Sequence, residues 1–361
     1  MVPYWSLYLE DSGFSPAEIG VLGAIMMSTK VLSPYLWGWL ADRTGQRMAV
    51  IRGGSIAALL SFAFIYRDNS FSNIALVVAA FTFFWNAVLA QFEVVTLSYL
   101  QTQFTRYSSI RLWGSIGFIV AVGVLGVAFD IFPITYLPAI MLCLLAGIGL
   151  SSLLVAEPID VRQPHESTVG LRDILAQPVV IVFFLICFLL QLAHGPYYTF
   201  YSIYLQDYGF TRSHIGALWA LGVGAEVLVF VAMQRIMQRY TLRQIMLFSL
   251  LVSVVRWLLI AFFPNVLPLV IVAQLGHAAT FGSFHAIAVE IVRRLFGGQH
   301  QGQGQALYSA ISFGAGGAIG ALISGYLWSS NPTLTWVIAS VASFVALTLA
   351  LVFIDDRKIP V

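Results

Sequence analysis

The chain has 361 residues, of which 59% are hydrophobic and only 9% charged, with a formal net charge of +2. A water-soluble domain carries about 25% charged residues, so composition excludes a soluble globular protein and makes lipid the main solvent. The near-neutral balance implies no polyanionic partner such as nucleic acid.

Apolar segments long enough for a hydrocarbon core of about 30 Å recur at 17–40, 49–66, 73–100, 105–129, 135–155, 179–205, 213–236, 244–263, 267–291, 304–328 and 334–354. They predict an all-α membrane protein with eleven complete helices. No basic region followed by an apolar stretch and a cleavage site opens the chain, so no cleavable signal is expected. Cys143 and Cys187 lie inside apolar runs and read as small core residues.

Residues 5–22 and 201–218 are two copies of one segment, offset by 196 and identical at nine of eighteen positions. Duplication inside an apolar chain is the mark of transporters built from repeated helix bundles. The bundles are expected at 1–155 and 179–361, joined by the polar stretch 156–178, which is too short to form a domain. The second copy follows about twenty apolar residues, whereas the first follows only four. As a helix, residues 2–9 would cover about 12 Å. The repeat therefore predicts that helix 1 is truncated here, and that the full arrangement has two pseudo-symmetric six-helix bundles.

Basic residues set the expected orientation. One set of turns carries Arg43, Arg47, Arg52, Arg106, Arg111, Arg162, Arg172, Arg235, Arg239, Arg243, Arg293, Arg294, Arg357 and Lys358, against Arg67 and Arg212 on the other. The first set, and with it the C-terminus, is expected in the cytoplasm of a multi-pass protein of the cell inner membrane.

The turn after the span at 17–40 reads GWLADRTGQR, residues 38–47. Gly38 is read as allowing close helix approach, Gly45 a tight turn, and Asp42 as meeting a helix N-terminus and nearby arginines. This resembles the signature loop of the major facilitator superfamily, with Gly38, Asp42, Arg43, Gly45 and Arg47 in its positions. The resemblance implies a gating charge cluster on the cytoplasmic side. Its counterpart 196 residues on, QRIMQRYTLR, has Gln238 in place of the aspartate, so the second gate is degenerate.

Ionisable residues within a span are costly and point to function. Lys30 and Glu226 occupy the same place in the two copies with opposite sign. Glu226 and Arg256 are equidistant from the turn at 241, so they are expected to pair, with His277 at a similar depth. Together these three read as a proton-coupling set. His194, His285 and Glu290 are lesser candidates, Glu290 more as a local ion pair with Arg293 and Arg294. Glu93 and Arg111 flank the turn at 102 in the same way and are expected to face each other. Gly114 and Gly117 are read as helix-packing positions, with Phe118 on the face of Arg111.

RLWGSIGF, VGAEVLVF, SVVRW and LQLAHGPYYTFYSIYLQ are similar to the phenylpropionate permease group of the superfamily, related to the lactose permeases. The resemblance implies solute binding by Glu93 and Arg111 and proton coupling through Glu226, Arg256 and His277. Two positions depart from the lactose permeases. Phe118 stands where they have a tryptophan platform, and Thr280 where they have a further glutamate.

Aromatic residues crowd Pro196, which is read as a kink aimed at the cavity. Lys30 and Arg111 with Tyr197 and Tyr201 would suit an aromatic carboxylate. Glycines 314, 316, 317, 320 and 325 make one side of their span smooth. The sequence thus points to a proton-driven symporter of a phenylpropionate-like acid working by alternating access, with a sugar or nucleoside symporter, a drug exporter and a non-transporting sensor as the alternatives. It is expected to be a monomer with no cofactor beyond the proton gradient and no metal. An enzyme would need a nucleophile or metal cluster near an interface, and the sequence offers neither.

Overall fold

The computed structural model describes residues 2–100, 104–157, 171–297 and 300–356. Residues 158–170 of the linker, Arg162, Arg357 and Lys358 lie outside the described residues, as do residues 101–103 of the turn between Glu93 and Arg111 and the side chain of Arg106.

The first half consists of α1 (Val2–Asp11), α2 (Pro16–Thr44), α3 (Arg47–Ala63), α4 (Phe71–Leu100), α5 (Phe104–Ile131) and α6 (Leu137–Leu153). The short α7 (Leu171–Leu175) leads into the second half. There follow α8 (Pro178–Asp207), α9 (Arg212–Arg239), α10 (Leu242–Phe262), α11 (Leu267–Leu275), α12 (Phe284–Phe296), α13 (Gln301–Ser309), α14 (Gly317–Trp328) and α15 (Pro332–Phe353). Two π-turns, Ala278–Ser283 and Ala310–Gly316, join α11 to α12 and α13 to α14, so that each pair forms one long span. Among the described residues, eleven helices are long and apolar enough to cross a bilayer. The expected spans agree with them to within a few residues. Pro196 does not interrupt α8.

Local chemistry fixes the helix ends. Ser15 and Glu18 form a capping box at α2, where Pro16 opens the helix, and Thr241 and Gln244 form another at α10. Gly45 ends α2 at φ +67°, a conformation that favours glycine, so the tight turn expected there is present.

The sequence repeat is a structural repeat. Gly13 and Gly209 both adopt left-handed backbone, at φ +88° and +85°. Phe14 donates its amide to Leu9 O and Phe210 to Leu205 O, each at 3.1 Å. The two halves meet tightly at the Arg-poor end. A Cβ on Gly20 of α2 would lie 2.6 Å from Gly325 Cα in α14, and one on Gly126 of α5 would lie 2.7 Å from Arg212 O in α9. Asp130 closes this end further: its carboxylate accepts from the Arg212 amide at 2.8 Å and the Ser213 amide at 3.2 Å. The glycine-rich side of the span at 301–328 is used as expected. Gly320 packs on α8, where a Cβ would fall 2.3 Å from Leu192 O.

At the Arg-rich end α5 is little covered. Residues 110–114 of α5 are all exposed. Five successive exposed residues exceed one helical turn, so neighbouring helices cover this stretch of α5 little on any side.

Candidate solute and proton site

α9 and the span built from α11 and α12 bring the proton candidates together. Gly222 and Gly282 leave room at the crossing: their absent Cβ atoms would sit 3.6 Å from His277 Cδ2 and from Glu226 Cγ. Across it, His277 Nε2 lies 2.6 Å from Glu226 Oε1, with both side chains buried. His277 Nδ1 is buried without a hydrogen-bond partner. A carboxylate only accepts, so Nε2 carries the hydrogen of this contact when Glu226 is ionised.

The expected pair between Glu226 and Arg256 is not formed; among the described residues the ion-pair partner of Glu226 is His277. Equal distance from a turn fixes depth but not the direction in which a long side chain points, and Arg256 turns the other way. Its Nε donates to Ala273 O at 2.9 Å, NH1 to Thr280 Oγ1 at 3.1 Å and NH2 to Gln274 Oε1 at 3.3 Å. Its cation lies over the Tyr197 and Trp257 rings, 4.4 and 4.3 Å from their centroids. Uncharged acceptors and π-faces thus satisfy a fully buried guanidinium.

His194 belongs to this cage. Its Nδ1 donates to Leu190 O at 2.8 Å, because a carbonyl only accepts. Nε2 is then an acceptor, 3.4 Å from both Arg256 NH1 and Thr280 Oγ1. Sequence reasoning placed His194 among the lesser candidates and missed Gln274 and Trp257. The signal for Gln274 was present, as the single polar side chain in LPLVIVAQL.

Tyr197 and Tyr201, read as lining the solute cavity, are fully buried. Tyr197 packs on Trp219 at 4.5 Å and on Tyr201 at 5.0 Å, and neither phenol oxygen has a hydrogen-bond partner. A row of rings around a proline on a long buried helix is drawn into the core, where its apolar area is most stabilising. Neither tyrosine faces open space.

In the first half, Glu93 and Arg111 form the expected ion pair, and both side chains remain about half exposed. Gly114 and Gly117 do not serve helix packing: nothing lies within 4 Å of where either Cβ would be. They keep the wall beside Arg111 smooth. Phe118 is partly buried against the main core. Lys30 Nζ lies 3.4 Å from Met27 Sδ and makes no ion pair among the described residues.

At the Arg-rich end, Asp42 Oδ1 pairs with Arg47 NH2 at 2.5 Å, and Arg47 NH1 donates to Gln91 Oε1 at 3.0 Å. Arg43 lies over Trp39. Gly38 does not mark a close approach, since its Cβ position is 3.9 Å from Gln91 Nε2. Glu157 accepts from the Arg47 and Met48 amides at 2.7 and 2.9 Å, capping α3. Asp356 accepts likewise from the Arg243 amide at the start of α10, at 3.1 Å. Glu290 is a local partner of Arg293 and Arg294, both at 2.7 Å, as read from spacing.

Comparison with known proteins agrees with this architecture. The chain is 30% identical to a probable 3-phenylpropionic acid transporter of Escherichia coli, covering 99% of this chain and 93% of that one. It is 27% identical to a maltose permease of Geobacillus stearothermophilus, covering 91% and 83%. Its fold matches a crystal structure of a variant of the nucleoside transporter NupG with a TM-score of 0.84 at 19% identity, covering 98% and 95%. The model of the MFS_1 like family matches residues 1–338. With its repeated bundles, buried mid-span charges and smooth inter-half crossings, the chain belongs to the MFS_1 like family of the major facilitator superfamily and is a multi-pass membrane transporter.

Proposed function

We propose that this transporter imports a small aromatic carboxylic acid together with protons by alternating access. The buried Glu226–His277 contact at 2.6 Å carries the proton reading. Because Arg256 is satisfied by Ala273, Gln274, Thr280 and two rings, a proton arriving on Glu226 does not strand that cation. Protonation instead changes only the bond to His277, whose Nδ1 has no competing partner. From residue 178 to residue 297 the carboxylates are Asp207, Glu226 and Glu290. Asp207 ends α8 at the Arg-poor end and Glu290 is forked by two arginines, which leaves Glu226 as the mid-span carboxylate of the three.

The half-exposed Glu93–Arg111 pair supports a solute site on the cavity wall, with Lys30 as a second cation. Arg111 would take the solute carboxylate in exchange for Glu93. The similarity to the probable 3-phenylpropionic acid transporter of Escherichia coli supports phenylpropionate as the solute. The maltose permease and the nucleoside transporter keep a sugar or a nucleoside as competing readings.

In this reading residues 1–155 and 179–361 are the rocking units and 156–178 the linker between them. The Arg-rich end, with the C-terminus, faces the cytoplasm of a monomer in the inner membrane. The Asp42, Arg43 and Arg47 loop, turned by Gly45 and with Gly38 one turn before Asp42, acts as the cytoplasmic gate.

The test is uptake into proteoliposomes of labelled 3-phenylpropionate, maltose and uridine, with and without an inward proton gradient. Gradient-dependent accumulation of phenylpropionate is expected. Accumulation of maltose or uridine alone would replace the substrate reading, and uptake of phenylpropionate indifferent to the gradient would sink proton coupling.

A further inference from the structure

The second half carries a group of rings beyond His277 that none of these roles uses. His277, Phe281 and His285 follow one another around the π-turn at 278–283, and their rings form a column. His277 and Phe281 stack at 5.5 Å with 19° between planes, Phe281 and His285 at 5.9 Å with 12°. The column continues onto α13, where Tyr308 stacks on His285 at 5.7 Å and its hydroxyl meets His285 Nδ1 at 3.0 Å. Phe313, on the other π-turn, stands edge-on to Phe281 and Tyr308 at 6.0 and 5.7 Å. Two π-turns on adjacent helices thus assemble one aromatic wall, and such turns are frequent at functional sites.

The hydrogen-bond chemistry of the wall is defined. Tyr308 is buried, so its hydroxyl hydrogen needs an acceptor, and Nδ1 of His285 is the one within reach. That places the hydrogen of a neutral His285 on Nε2. Among the described residues Nε2 has no protein partner, and Phe281, His285 and Phe313 all remain partly exposed. Phe313 adjoins Gly314, whose Cβ would lie 2.4 Å from Val31 Cγ2, so the second π-turn packs on α2, the helix that carries Lys30. The wall therefore stands where the second half meets α2, beside the position of Lys30.

A π-face with an N–H at its edge and the Lys30 cation on the adjoining helix fits a planar ring that carries an oxygen and ends in an anion. We propose that Phe281, His285 and Phe313 form the ring-recognition site of this transporter, with His285 Nε2–H reading a hydroxyl or carbonyl oxygen on the solute ring. The proposal deepens the aromatic-acid reading and rests on it for the choice of first probe.

The experiment is equilibrium binding and counterflow on the purified full chain with 3-phenylpropionate, 3-cyclohexylpropionate, 3-(3-hydroxyphenyl)propionate and uridine. The saturated ring keeps the charge and nearly the size of phenylpropionate but has no π-face. The protein is expected to prefer the phenyl over the cyclohexyl acid by about tenfold, and Phe281→Leu to reduce that preference below about twofold. His285→Phe should keep the ring preference and lose about tenfold in preference for the hydroxylated ring. A purely structural role would lower all affinities together. If Phe281→Leu does not fold, Phe281→Met serves. Ring preferences unchanged in both variants overturn the proposal, as does binding of none of the four solutes. Binding of uridine but neither acid, with the same dependence on Phe281, would overturn the aromatic-acid reading and leave the wall standing. Uridine binding indifferent to both variants would overturn both.

Discussion

Gly20 of α2 and Gly216 of α9 hold the same place in the repeat, and each lies against the backbone of the opposite half at the Arg-poor end. A Cβ on Gly20 would come 2.6 Å from Gly325 Cα, and one on Gly216 would come 2.5 Å from Val122 O. One duplicated residue thus closes both crossings between the halves. Tyr4 lines the second crossing: its hydroxyl donates to Val122 O within the first half at 2.6 Å, and a Cβ on Gly216 would come 2.3 Å from that hydroxyl oxygen.

A side chain at either glycine should pry that end open. Gly20→Leu is expected to favour the conformer open at the Arg-poor end. In a Cys143→Ser background, a cysteine replacing the buried Ser6 should react with a membrane-impermeant maleimide at least about tenfold faster when Gly20→Leu is added, a shift of about 1.4 kcal/mol in the conformational balance. Equal labelling would mean that the contact is passive packing.

Glu226→Gln keeps the shape of the side chain and a hydrogen bond to His277 but cannot ionise. Accumulation driven by a proton gradient should vanish while solute exchange persists at near-normal rate. Surviving accumulation would put the proton elsewhere, and loss of exchange as well would make the pair structural.

Thr280→Val removes one acceptor from the buried Arg256 while preserving volume. The guanidinium keeps Ala273 O and Gln274 Oε1. The loss should cost about 1–3 kcal/mol, read as a lower thermal midpoint in detergent. Gradient-driven accumulation should remain, because Glu226 is held by His277. Loss of accumulation at unchanged stability would tie the Arg256 cage to coupling.

Arg111→Ala should weaken binding of an acidic solute by about tenfold or more, with Arg111→Lys intermediate because it keeps charge without the fork. A neutral solute of the same size should bind either variant alike. Equal losses for both solutes would assign Arg111 to structure.

The Asp42–Arg47 pair is largely solvent-exposed at the aspartate. Asp42→Asn should therefore leave the thermal midpoint within about 2 °C while slowing transport, measured as initial uptake rate against midpoint in the same preparation. A large fall in stability would make the loop a structural brace.

Much of this arrangement was legible beforehand. Span positions follow from apolar length alone, because a bilayer leaves a helix no partner for its backbone except itself. The duplication aligns Gly13 with Gly209, and the structure shows both in left-handed turns, since a strained backbone conformation selects glycine locally. Glu93 with Arg111, and Glu290 with its arginines, could be read from spacing because each pair joins a short helical hairpin or one helix face.

Sequence could not tell which way Arg256 points, that Tyr197 and Tyr201 are buried, or that Gly114 and Gly117 face open space. Those outcomes depend on which neighbours several distant helices present at the same depth. Spacing supplies depth and face to within about a turn, whereas a long side chain selects among partners several ångströms apart. The sequence by itself determined a duplicated, helical membrane transporter with charges inside its spans. Only the tertiary structure decided that Glu226 meets His277 and that Arg256 lies in a cage of neutral acceptors and rings, because desolvated groups pair with whatever packing places within hydrogen-bond reach.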